Sequence, residues 1–211
     1  MKTRDRILET SLLLFNELGE PNTTTNSIAD EMNISPGNLY YHYRSKEQIV
    51  TRLFDRYERR ALELLAAVPQ QRLGMDDLWL VLHLAFELIW EYRFIYRDLD
   101  NLLRRYRGLR RRFGRLVARF IEVATSACQA LVKAGVMRAS PEEVQVVGRN
   151  VVLVTTYWLN FENIAASPEY KSSSEQDRFA RGCYQVLSLL APFLEPRSRA
   201  LLNDLARRYL R

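Results

Sequence analysis

The chain has 211 residues, 47% of them hydrophobic and 27% charged, with a net charge of +6, which is enough apolar material for a sizeable core. No uncharged stretch approaches the ~18 residues needed to span a bilayer, and the opening MKTRDRILET has no apolar signal core, so a cytoplasmic chain without membrane contact is expected. The two histidines and two cysteines lie far apart, which gives no metal-ligand spacing and no cofactor site. Cys128 and Cys183 sit in apolar periodic segments and read as buried, reduced thiols.

In chain order, the first helix is expected over Thr3–Leu18, with Ile7, Leu8, Ser11, Leu12, Phe15 and Leu18 inward and Gly19 ending it. Thr24 is the best placed N-cap for a second helix over Thr25–Met32, where Ile28, Ala29 and Met32 recur at helical spacing. Asn33 tolerates the left-handed conformation that closes a helix. Ser35 then caps a third helix, Pro36–Tyr43, with Pro36 at its first position and Gly37 slimming its start. Helix, tight turn and capped helix make a helix-turn-helix.

Leu39 and Tyr43 are four apart and face inward, leaving Asn38, Tyr40, Tyr41 and His42 on or near the other face. Side chains that donate and accept hydrogen bonds, on a helix slim at its N-terminal end, suit the DNA major groove. Lys46, opening the next helix, is placed to reach a phosphate. Thr24, Thr25, Ser35, Pro36, Gly37, Asn38, Tyr40, Tyr41, His42 and Lys46 are the expected DNA contacts. The first 50 residues nevertheless carry five basic and seven acidic side chains, so any DNA affinity comes from placed contacts and a dimer, not a general cationic surface.

The pattern Gly19, Thr23, Thr24, Ile28, Ala29, then Ser35, Gly37, Leu39, Tyr40, His42, Tyr43, Ser45, Lys46 and Glu47 resembles the DNA-binding domain of the tetracycline-repressor (TetR) family. The resemblance covers about the first quarter of the chain. Two departures are visible. Ser27 stands where an acidic residue commonly completes the capping box, which predicts a weaker cap, and Pro36 takes a variable position.

A fourth helix is expected over Ser45–Ala67, and beyond Pro69 come longer helices rich in aromatics. These are Asp76–Tyr92, Phe94–Leu103, Leu109–Ala134, a helix after the Ser140-Pro141 cap running to Ala165, Glu175–Leu194, and Arg197–Leu210, with a polar loop over Ser167–Ser174. The fold class is all-α: a helix-turn-helix domain over residues 1–47 and a helical domain over 48–211. Val144, Val147, Val151, Val154, Trp158, Phe179, Val186 and Leu190 form apolar seams, read as a homodimer seam because the helix running to Ala165 has a second apolar flank in Val152, Thr155 and Leu159 and because of the resemblance.

The resemblance further implies a transcriptional regulator, commonly a repressor, that binds a near-palindromic double-stranded operator and responds to an effector in the helical domain. Trp79, His83, Phe86, Trp90, Phe113, Phe120, Trp158 and Phe161 are the candidates to line a pocket for a small apolar or amphipathic effector. The alternative is a DNA-binding regulator with no small effector, controlled by a protein partner. An enzyme is disfavoured: no paired nucleophile and base and no phosphate-cradling glycine loop is visible. One feature is left over. Eight arginines fall between Arg104 and Arg119, with no acidic residue from Asn101 to Ile121. By default they read as a solvated face, with an anion site as an alternative; the resemblance, which implies that this turn lies close to the DNA-binding domain, adds pairing with that domain's acidic residues or a positive field near DNA.

Overall fold

The structure, a computed structural model, describes residues 2–68, 73–165 and 174–209. Among these every regular element is a helix, and there is one isolated β-bridge, Met137 to Leu194. The helices are α1 (Thr3–Leu18), α2 (Thr25–Glu31), α3 (Pro36–His42), α4 (Lys46–Ala66), α5 (Met75–Glu91), α6 (Arg93–Arg97), α7 (Leu99–Arg105), α8 (Arg107–Lys133), α9 (Pro141–Ala165), α10 (Glu175–Ser188) and α11 (Pro196–Tyr209). No described helix is long and apolar enough to cross a membrane.

Two segments differ from the sequence expectation. The helix expected over Phe94–Leu103 is two helices, because the backbone leaves the helical region at Asp98; Phe94, Ile95, Tyr96, Leu99 and Leu102 all turn inward as a result. The helix expected to reach Leu194 ends at Ser188 and gives way to a 3₁₀ turn over Ala191–Phe193, where Pro192 has no N–H for an α-helical bond. The polar loop expected over Ser167–Ser174 lies outside the described residues except for Ser174, whose hydroxyl accepts from the Asp177 N–H and caps α10.

The chain forms two compact units, each discontinuous in sequence: Met1–Arg60 with Trp90–Phe113, and Ala61–Ile89 with Gly114–Arg211. A boundary after residue 47 does not describe the first unit, because α6 and α7 fold back on α1. Phe15 and Phe94 meet with ring centroids 5.4 Å apart. The buried Asn16 amide donates to the Glu91 carbonyl (2.8 Å) and accepts from the Phe94 N–H (3.0 Å), and its own carbonyl accepts from Arg97 (2.6 Å). A buried amide satisfied on both sides fixes the register of one helix on another. Behind it Phe54, Tyr57, Tyr96 and Phe113 make tilted and edge-on ring contacts. Arg56 ties α4 to α1 through Asp5 (3.2 Å) and Glu9 (2.6 Å).

In the second unit α9 packs on α10 and α10 on α11. Its core takes Val144, Val147, Val152 and Leu159 from α9 and Phe179, Cys183, Val186 and Leu187 from α10. Burial pushes the Cys128 thiol up to about 11 and the Cys183 thiol up to about 12, so both stay protonated at neutral pH and act as small apolar side chains.

Candidate nucleic-acid interface

The helix-turn-helix is held by local capping at each end. Thr24 Oγ1 accepts from the Ser27 N–H (3.0 Å), and the Thr24 N–H donates to Ser27 Oγ (3.0 Å). Both arms of the capping box are therefore closed by a serine, where the sequence suggested a weakened cap. Asn33 takes the left-handed conformation at φ 53° and turns the chain out of α2. Ser35 Oγ accepts from the Asn38 N–H (3.2 Å), and Pro36 starts α3 where no intrahelical donor is needed.

These caps set which way α3 faces. Leu39 is fully buried and Tyr43 is 2% exposed, while Tyr41 is 85% exposed and Tyr40 is 43% exposed. Ser35, Pro36, Gly37 and Asn38 are exposed, and His42 is half-buried with its ring edge-on to Tyr41 at 5.1 Å. The Tyr40 hydroxyl meets Thr25 Oγ1 at 2.8 Å and joins α3 to α2. A Cβ on Gly37 would meet only Ser35 Oγ at 3.9 Å, so internal packing does not require glycine there.

Lys46 differs from the rest. Its ammonium donates to the carbonyls of Glu20 (2.8 Å) and Thr23 (2.9 Å) and lies 2.8 Å from the Glu20 carboxylate, which uses all three donors. The phosphate contact expected of it would have to displace one of these. Glu20 itself is 3% exposed and also accepts from the Tyr106 hydroxyl (2.7 Å), with Arg105 3.7 Å away. Burial, then donation to Glu20, holds the Tyr106 hydroxyl well above the ordinary phenol range. One carboxylate thus joins the α1–α2 turn, the start of α4 and the start of α8. Sequence reading missed this hub, since neither Glu20 nor Tyr106 belongs to a local pattern.

The arginine run divides. Arg112 lies over the Phe54 ring and pairs with Asp55 (2.8 Å) and Glu58, Arg105 approaches Glu20, and Arg104 pairs with Asp100 (2.6 Å). Arg107, Arg110 and Arg111 are exposed and meet no carboxylate among the described residues.

The effector-pocket residues are not brought together as one group. Phe113 packs with Phe54 and Tyr96 in the first unit, where Trp90 also lies, beneath the Arg93 guanidinium at 4.7 Å. Phe161 is 61% exposed. Of the remaining five, Phe120 is half-buried and Trp79 buried. His83, Phe86 and Trp158 gather around α10: a Cβ on Gly182 would lie 2.7 Å from Phe86 and 2.8 Å from Trp158, and His83 meets the Phe179 ring edge-on at 5.8 Å. Trp158 Nε1 and His83 Nδ1 are buried without a hydrogen-bond partner among the described residues. Spacing alone mixed the two groups because the stripes of α5 and α8 each run through both units.

The dimer seam needs a correction. Val144, Val147, Phe179, Val186 and Leu190 are all 5% exposed or less within the single chain, and Val151, Val154 and Trp158 are half-buried. A side chain already buried at home cannot supply a partner interface. The exposed apolar stripe of α9 is instead Val146, Leu153, Tyr157, Phe161 and Ile164, each 50% exposed or more. Periodicity located an apolar helix but not which of its faces meets its own subunit.

No group of three or more His, Cys, Asp or Glu that could hold a metal occurs among the described residues. Comparison with known proteins bears directly on this arrangement. Residues 7–53 match the family described as bacterial regulatory proteins of the tetR family, and residues 56–202 match the TetR family described as bacterial transcriptional repressor. A solved TetR-family transcriptional regulator from Marinobacter aquaeolei is 36% identical, with 99% of each chain covered and a TM-score of 0.89. The biofilm operon icaADBC negative transcriptional regulator IcaR of Staphylococcus epidermidis is 27% identical over 99 residues, which are 46% of this chain and 54% of that protein. The probable acrEF/envCD operon repressor of Escherichia coli is 35% identical over 54 residues, 26% of this chain and 24% of that protein. The chain therefore spans about half or less of the length of these curated relatives. With both parts of the family matched in order and a helix-turn-helix at the front, this chain belongs to the TetR family of bacterial transcriptional regulators and is not an enzyme.

Proposed function

We propose that this chain acts in the cytoplasm as a homodimeric repressor, placing α3 of each subunit in successive major grooves of a near-palindromic operator ~34 Å apart. The observation that carries the reading is the division of α3. Leu39 and Tyr43 anchor it, while Asn38, Tyr40, Tyr41 and His42 stand at or near the surface on a capped, slim-ended helix. Selection of bound duplexes from a random library is the test: an enriched inverted repeat supports the reading, and no enrichment from a folded dimer rejects it.

Tyr41→Ala removes the most exposed of these side chains and is expected to narrow the affinity gap between operator and random duplex by about 1–2 kcal/mol, roughly a factor of ten. Titrating both duplexes measures it; an unchanged ratio takes Tyr41 out of base recognition.

The α9 stripe is the proposed seam, since self-complementary apolar faces close a two-fold dimer. Charging its centre with Leu153→Lys and Phe161→Lys together is expected to weaken self-association at least tenfold, about 1.4 kcal/mol. Sedimentation at several concentrations would show it, and an intact dimer would place the seam elsewhere.

For the effector, support comes from Trp158 Nε1 and His83 Nδ1, buried beside Phe86 and Phe179 without partners among the described residues. A compact apolar molecule bearing a hydrogen-bond acceptor would satisfy the indole N–H, and its differential affinity for two arrangements of the chain would set how far DNA binding shifts. The close approach of Phe86 and Trp158 at Gly182 favours the second reading, an interior filled by its own side chains and control by a protein partner. A thermal-shift screen separates the two, since only the first predicts a stabilising small molecule.

A further inference from the structure

The helix-turn-helix has a charge problem. Residues 1–60 carry nine basic and nine acidic side chains, whereas residues 90–113, which complete the same compact unit, carry eight basic and three acidic. The whole excess positive charge of the unit lies in the segment that folds back on α1. Several of its arginines are committed to the fold: Arg93, Arg97, Arg105 and Arg112 each hold a ring, a carbonyl or a carboxylate. Arg107, Arg110 and Arg111 are different. They are exposed and meet no carboxylate among the described residues, although Arg52, Arg56, Arg60, Arg104 and Arg112 of the same unit all do.

Their position makes this costly. All three fall within the first five residues of a 27-residue helix that has no acidic residue in its first turn, where the positive end of the helix disfavours cations. Leu109 and Phe113 face inward from the same turns, so packing holds the arginines out on the opposite side. Their neighbour Tyr106 is bonded to Glu20, whose carboxylate also holds Lys46 at the start of α4. The stripe therefore lies beside the α1–α2 turn, where Glu20 stands three residues before Thr23 and the Thr24 cap follows.

We propose that Arg107, Arg110 and Arg111 form a second phosphate-binding surface, outside the helix-turn-helix, that supplies the sequence-independent part of DNA affinity. The proposal rests on the operator-binding reading above. Phosphate contacts position a protein and carry its salt dependence, while base contacts specify. It answers how a helix-turn-helix segment of negative net charge holds a polyanion, and why three like charges gather at a helix end that repels them.

The test is a triple variant, Arg107→Gln, Arg110→Gln and Arg111→Gln, titrated from low to moderate salt with the selected operator and with random duplex. The expected result has three parts. The slope of log affinity against log salt falls by at least about two units, since each subunit of a dimer gives up one phosphate or more at about 0.9 each. Operator and random duplex lose affinity by the same factor, so their ratio stays as in the wild type. The melting temperature holds or rises, because like charges leave a positive helix end. A melting temperature that does not fall separates weakened binding from misfolding.

An unchanged slope overturns the proposal and returns the stripe to a solvated face. A changed ratio with an unchanged slope also overturns it, since that would mean base reading. Failure of the operator-binding reading shows in the wild type, as no enriched duplex, before any variant is made.

Discussion

Glu20→Ala is expected to lower the unfolding free energy by about 3 kcal/mol, the lower end of what removing one partner of a buried ion pair costs. Glu20 is 3% exposed and serves the Lys46 ammonium, the Tyr106 hydroxyl and, at longer range, Arg105. Its loss leaves the phenol unpaired and strips Lys46 of its carboxylate. Lys46 keeps two carbonyl acceptors and is 17% exposed, which is why the loss sits at the lower end. Glu20→Gln preserves an acceptor for Tyr106 and should cost clearly less. Denaturant titration of the two variants measures both; a loss below about 1 kcal/mol for the alanine would show that Lys46 and Tyr106 find other partners or water.

The second large effect is expected from Gly148→Ala, at about 2 kcal/mol of destabilisation by overpacking. Glycine to alanine inside a helix ordinarily stabilises by about 1 kcal/mol. Here the new Cβ would lie 2.5 Å from Thr125 Oγ1 and 3.0–3.1 Å from the Thr125 backbone N and Cα. A side-chain oxygen can be removed, but backbone atoms of α8 can move only with the helix. Thr125→Ala added to Gly148→Ala should therefore recover part of the loss and not all of it. A net gain in melting temperature from Gly148→Ala alone would mean that the two helices separate easily, and would refute the close packing.

Much of the fold was legible in the sequence because the signals were local. Gly19, Thr24, Asn33, Ser35 and Pro36 each act through a cap or a left-handed turn within a few residues, and the helix ends fall within one or two residues of them. Most of the inward stripe of α1 (Ile7, Leu8, Ser11, Leu12 and Phe15) and the anchors Leu39 and Tyr43 were legible for the same reason, but Leu18, expected inward, is 53% exposed at the last turn before Gly19. What depended on partners distant in sequence was not. Lys46 looked free because Glu20 and Thr23 reach it only through the fold. The valines of α9 look alike on both flanks, so spacing could not separate the core face from the exposed one. The expected pocket residues divide for a similar reason, since Phe113 and Phe86 share a residue type and a spacing but belong to different units.

The return of residues 90–113 onto α1 has a consequence for engineering. The helix-turn-helix is not a portable cassette. A fragment ending at residue 60 would expose Phe15, lose both acceptor and donor for the Asn16 amide, and free Glu20 from Tyr106. A chimaera meant to transfer operator choice to another regulator would have to carry α6, α7 and the first turns of α8 with it, or else change only the exposed residues of α3.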